Sequence, residues 1–180
     1  MVSPQTLGEA DRRCVAAWAA DCAERALPLF EVEAPDDDRP RDGIARARAY
    51  SRGELDTAGE IRRRFEAGRA AGAVTGPAAK AAARAAGQAS GVAHLGAHAL
   101  GAAACAAKAV SLAVPTAERA GVLDREVAAQ VALLTPQVRA ALRQLPALGE
   151  DTAGPLGPGL LASGVLAQVV RALQAQVGTS

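Results

Sequence analysis

The stretch PAAKAAARAAGQASGVAHLGAHALGAAACAAKAVSLAV, residues 77–114, decides the fold. It carries Lys80, Arg84 and Lys108, yet no acidic residue occurs anywhere from 67 to 117, and most of its positions are Ala or Gly. Alanine has the highest helix propensity, and its single methyl group lets helix axes approach closely. A helix this poor in charge on every side is one buried on every side. Drawn as one continuous helix, it would span roughly 55 Å at about 1.5 Å per residue. That is long for a chain of 180 residues, so a break or bend is expected near Gly87–Gly91, with the other helices packed around it.

Upstream, residues 8–31 read as one amphipathic helix. Val15, Trp18, Ala19, Cys22, Ala26, Leu29 and Phe30 recur at three- and four-residue steps, with a kink or tightened turn expected at Pro28. An acidic loop over 34–38 follows, and Asp38 is placed to cap a second helix over 39–52 that has Pro40 in its first turn and Gly53 as its stop. A third helix, over 55–71, sets Ala58, Ile61, Phe65 and Gly68 on one face. Residues 72–76 form a turn in which Thr75 is the expected cap and Pro77 opens the central run.

Downstream, Pro115 ends that run. A helix over 123–134 has Leu123, Val127, Val131 and Leu134 in phase, and Thr135-Pro136 restarts the chain as another helix through Leu145. Residues 146–159, with Gly154, Pro155, Gly157 and Pro158, are a loop or linker. The last helix, over 160–177, keeps Leu166, Val169, Val170, Leu173 and Val177 in phase. Aromatic residues make up only 2% of the chain, and no long apolar–polar alternation marks a strand. The expected class is all-α, a single-domain bundle of about six or seven helices around a central Ala/Gly-rich helix. Residues 1–146 would form the helical body. Residues 147–180 would be a Gly/Pro-rich connection and a terminal helix that packs on the same domain or on a partner.

With 20 basic and 19 acidic residues the net charge is +1, so no global field favours nucleic acid or an anionic membrane. Base stacking lacks aromatics. The stretch over 85–107 has no formal charge and is long enough to cross a bilayer, but Ala, Gly, Ser and His gain little from lipid, so a buried helix is expected instead. A polar start with Glu9, Asp11, Arg12 and Arg13 does not resemble an export signal. Cys14, Cys22 and Cys105 are odd in number and without metal-type spacing, so reduced thiols in cytoplasm are expected.

On a helical wheel of about 100° per residue, Gly87, Gly91, His94, His98, Gly101, Cys105 and Lys108 share one sector. Two readings of this stripe stand side by side. In one it floors a pocket, where His94 and His98 act as an acid–base pair or hold an anion, Cys105 serves as a nucleophile if its pKa is lowered, and Lys108 adds charge. In the other it is packed core, with hydrogen-bonded histidines, glycines at close helix crossings and an inert thiol. Two histidines at this spacing are half a metal site. Leu95 stands where the metalloprotease motif has Glu, and no carboxylate lies nearby in sequence. No metal and no cofactor are expected. A second candidate surface is Asp36, Asp37 and Asp38 with Arg41 and Arg48, although capping and solvated local pairs account for those residues as well.

The segments WAADCAERALPLFE (18–31) and DDDRPRDGIARARAYSRGE (36–54), with AHLGAHALGAAACAAKAV (93–110), carry a family resemblance. They resemble bacterial immunity proteins of the immunity-five-like group, associated with polymorphic toxin systems, over most of residues 12–146. The resemblance implies a small helical cytoplasmic protein that neutralises a protein toxin by binding it, and it supplies no catalytic residues. Two departures stand out: the extension after Leu145, and Cys105 where a larger residue is expected. The leading expectation is therefore a non-enzymatic toxin-neutralising protein. The alternative is a small helical enzyme or small-molecule-binding protein of a specialised biosynthetic pathway, with its pocket on His94, His98, Cys105 and Lys108. The oligomeric state stays open, with a homodimer through the terminal helix as one form.

Overall fold

A computed structural model describes residues 3–178, and all regular structure among them is helical. In chain order the helices are α1 (Glu9–Glu24), α2 (Leu27–Glu31), α3 (Arg39–Ser51), α4 (Thr57–Arg63), α5 (Glu66–Arg69), α6 (Pro77–Gly91), α7 (His98–Leu112), α8 (Arg119–Ala132), α9 (Pro136–Leu142) and α10 (Gly164–Gly178). Short 3₁₀ turns follow α5 and precede α8 and α10.

There are more segments than the six or seven expected, because three of the predicted helices are interrupted, the first and third of them by local chemistry. Pro28 has no N–H to give the Glu24 carbonyl, so α1 ends at Glu24 and Pro28 sits in the first turn of α2. The break thus falls before the proline rather than as a kink at it. The predicted helix over 55–71 splits into α4 and α5. Asp56 starts α4 by accepting the Gly59 N–H at 2.7 Å. Arg64 then ends it, its guanidinium donating to the Ile61 carbonyl at 2.5 Å, the acceptor a continuing helix would offer to Phe65.

Two other caps differ from expectation. The Asp38 side chain makes no capping bond, and Asp37 Oδ1 accepts the Arg39 N–H instead, at 3.2 Å. Thr75 does not cap α6 either. The Glu33 carboxylate accepts the N–H groups of Thr75 (2.5 Å) and Gly76 (3.0 Å). A full negative charge at the positive end of the helix serves better than a hydroxyl.

The central run is two helices, not one. It breaks over residues 92–97, just past Gly91, and α7 folds back along α6. Gly91 lies against the His98 ring and Gln88 against Gly101, the stepping-apart of an antiparallel hairpin. The turn is pinned from the N-terminal segment, where the Thr6 and Gln5 carbonyls accept the N–H groups of Gly96 and Ala97 at 3.1 Å each. From Ala99 to Ala107 every residue of α7 is buried. Helices α1, α8 and α10 pack on α7, while α2, α3 and α5 pack on α6. Trp18, Phe30, Ile44 and Tyr50 fill the space the alanines leave.

On α8 the buried side chains are Leu123, Glu126 and Gln130, with Val127 and Val131 only half-buried. Arg25 donates to both Glu126 oxygens, at 2.7 and 2.9 Å. Gln130 Nε2–H reaches the Ala103 carbonyl (3.0 Å), and the Trp18 indole N–H donates to the Gln130 carbonyl (3.0 Å). Beyond α9 the buried Gln5 carboxamide ties down the loop, donating to Asp151 (2.8 Å) and the Ala153 carbonyl (2.6 Å) and accepting the Leu156 N–H (2.9 Å). Helix α10 then lays Leu166, Val169, Val170 and Leu173 onto α7 and α8. No helix among the described residues is long and apolar enough to cross a membrane.

At Gly87 an added Cβ would lie 2.7 Å from Gly68 Cα and 2.9 Å from its nitrogen. Helix propensity alone favours Gly87→Ala by about 1 kcal/mol, but a clash with backbone cannot be relieved by a rotamer change. Gly87→Ala is expected to destabilise by about 1–3 kcal/mol, whereas Gly72→Ala, with open space around it, should leave the urea midpoint nearly unchanged. Denaturation of both variants against the parent protein checks the sign.

Candidate functional site

The half of α6 that approaches the hairpin turn lines an open groove of about 740 Å³. Arg64 and Phe65, at the junction of α4 and α5, form one wall together with Arg69. Arg84 and Gln88 rise from α6, His94 and His98 close the end at the turn, and Gly154-Pro155 border the far side. Gly68, Gly87 and Gly91 make its floor.

Each glycine has a separate reason. Gly87 permits the contact with Gly68, and a Cβ at Gly91 would meet the His98 ring at 2.9 Å. A Cβ on Gly101 would overlap Gln88 Oε1. The room at Gly91 and Gly101 allows His98 Nδ1–H to donate to Gln88 Oε1 at 2.7 Å. With Nδ1 engaged as donor, Nε2 of the neutral ring is the acceptor.

The electrostatics are one-sided. Burial, then the His94 and Arg64 charges, push the pKa of His98 down to about 4. His94 is exposed, and it too is lowered, by partial desolvation and then by Arg64 and Arg12. Arg64 stacks on the Phe65 ring with its guanidinium carbon 4.2 Å from the centroid. No carboxylate lines the groove.

His94 and His98 therefore share this groove, but Cys105 and Lys108 do not line it. The reversal at 92–97 puts Gly87, Gly91 and His94 off the axis of α7, while His98, Gly101, Cys105 and Lys108 still share it. Cys105, two turns beyond His98, falls in the stretch of α7 that is buried throughout. Cys105 is 2% exposed, and burial pushes its thiol up to about 12, against the weak opposing pull of Arg84 and Lys108. Such a thiol is the reverse of an activated nucleophile. Among the described residues no three His, Cys, Asp or Glu side chains gather as a metal site requires.

The second candidate surface is divided too. Arg48 is held by Asp21 (2.7 Å) and Glu24 (2.6 Å) on α1, and Arg41 pairs with Glu31. Asp37 pairs with Arg39 at 2.6 Å, while Asp36 and Asp38 are exposed, as is Val32, at 86%. Arg64, Phe65, Arg69, Arg84 and Gln88 were missed as groove residues. The one sequence signal was the absence of acid over 67–117, which leaves Arg69 and Arg84 without a neighbouring carboxylate in that stretch.

Compared with known proteins, residues 5–137 match the profile of a family described as "Imm-5 like putative immunity protein". No curated protein and no solved structure matches the chain.

Two measurements follow from the site's electrostatics. The folded His98 resists the proton that the unfolded chain accepts near 6.5, so stability should fall as pH drops from 6.5 towards about 4. The loss attributable to this ring is up to about 3 kcal/mol. His98→Asn keeps a donor towards Gln88 and does not titrate, so its urea midpoint should fall less steeply over that window. Iodoacetamide should label the half-buried Cys14 first and reach Cys22 and Cys105 only on unfolding, as peptide mass spectrometry would report. Rapid labelling of Cys105 in the native protein would contradict its placement in the core.

Proposed function

This chain belongs to the Imm-5-like immunity protein family, and on that footing we propose that it neutralises a protein toxin by direct contact, without catalysis. The observation that carries the reading is the extent of the match, residues 5–137, which takes in helices α1 to α8. The buried, unactivated Cys105 thiol supports a binding role over nucleophilic chemistry.

The contact surface we favour is the loop between α2 and α3. There Val32 projects into solvent, and Asp36 and Asp38 of the same loop are exposed. Arg41 and Arg48 are engaged within the chain, so the charge this loop presents outward is mainly negative. A loop that exposes an apolar side chain and two carboxylates suits a basic partner surface, which the charges steer and the apolar contact retains.

The test asks first whether a protein toxin is encoded beside this gene, and then titrates that protein against the purified chain and co-expresses the two. Wild-type protein should bind and relieve growth arrest. Asp36→Lys with Asp38→Lys should slow association by about tenfold or more at low salt, and the unfolding midpoint should not move. Failure of the wild-type chain to bind or protect would refute the reading. Normal binding by the charge-reversed variant would move the contact elsewhere on the surface.

A further inference from the structure

We propose that the groove between α5, α6 and the α6–α7 turn binds a small organic anion, a carboxylate or phosphate carried on a planar or apolar body. The first support is a grouping of charge. Eight arginines hold carboxylates, 13, 25, 39, 41, 46, 48, 52 and 63, and Arg12, Arg62, Arg119, Arg125, Arg139 and Arg171 make no ion pair among the described residues, so what marks this site is where its own arginines meet. Arg64, Arg69 and Arg84 make no ion pair among the described residues, and all three line this one groove. Glu66, whose carboxylate also feels Arg69, is bonded to Arg63 at 2.7 Å. Planar guanidiniums free of ion pairs are well suited to carboxylate and phosphate oxygens, Arg69 and Arg84 more than Arg64, which already donates to the Ile61 carbonyl.

The second support is shape. At about 740 Å³ the groove has the size of small-molecule sites. Phe65 is 56% exposed, and it offers a flat apolar face backed by the Arg64 stack. Along the floor, Gly68, Gly87 and Gly91 contribute no side chains, the space beside Gly87 and Gly91 being taken by the Gly68 backbone and the His98 ring.

A third feature is the polar end. Gln88 fixes the His98 ring so that Nε2 accepts, and His94 stands exposed beside it. A ligand bearing a hydroxyl or amine donor near its anionic group would satisfy Nε2 and the guanidiniums together. This site lies along the later part of α6, whereas Glu33 of the α2–α3 loop sits at the start of that helix. The groove and the toxin contact can therefore succeed or fail independently.

The experiment is a titration of the isotope-labelled full chain with citrate and with pyrophosphate at constant ionic strength, following the histidine ring and arginine Nε–H resonances. We expect saturable shifts at His94, His98, Arg69 and Arg84. Arg84→Gln and Arg69→Gln should each weaken binding about tenfold, the worth of one charge-assisted contact, while Lys80→Gln changes nothing. Response to citrate alone identifies a carboxylate ligand, and response to pyrophosphate alone a phosphate. Shifts that never saturate, or that persist unchanged in the arginine variants, would overturn the proposal. So would perturbation by poly-glutamate with none by either small anion, which would make the groove a contact for acidic protein. Because both arginines are exposed, the variants should fold, and their unfolding midpoints verify it.

Discussion

Close approach of backbones across Ala and Gly is the constraint on which the other contacts depend. An alanine buries little apolar surface, but it also forfeits no rotamer freedom on burial. A core of alanines therefore gains by bringing helices near enough for their backbones and Cβ atoms to touch, and α6 with α7 is such a core. Gly87 against Gly68 and Gly43 against Ala67 and Ser90 are the tightest points where α3 and α5 meet α6. Larger side chains at these positions would hold the helices apart and open voids along the hairpin.

Charged groups organise the periphery around that core, with unequal weight. Exposed pairs such as Arg52–Glu54 contribute little, because water competes for both partners. The Arg25–Glu126 pair is different, since Glu126 is buried and shares its oxygen with Gln130. Removing Arg25 would leave a buried carboxylate without its cation, a larger loss than the pair's own net gain. Together with the Trp18–Gln130 bond, this network sets the position of α8 across α1 and α7.

The groove follows from the same constraint. Glycines that let α5 and α6 touch also leave a floor without side chains, and the hairpin turn brings His94 and His98 to its end. The acid-free stretch then determines its sign, since the chain places no carboxylate within reach of Arg69 or Arg84 that is not already engaged. Packing requirements and a cationic recess thus arise from one compositional bias.

Sequence by itself determined the helical class, the burial of the central run over 99–107, the stops at Gly53 and Pro115, and the restart at Thr135-Pro136, where Thr135 Oγ1 accepts the Val138 N–H at 3.2 Å. It also placed the family, through the Leu-Pro-Leu-Phe and Arg-Pro-Arg segments. These are local matters: propensity, capping and periodicity act within a few residues of one another. Only the tertiary structure decided that the central run reverses at 92–97, that Glu126 and Gln130 are buried more deeply than Val127 and Val131, which pack against the edge of the core, and that Glu33 caps α6. It also buried Cys105 beneath the packing of α7 while leaving the histidines in the groove with Arg64, Arg69, Arg84 and Phe65. The physical reason is that each of these outcomes depends on a partner far along the chain. A helical wheel gives angles about one axis, and that axis ends where the chain turns back.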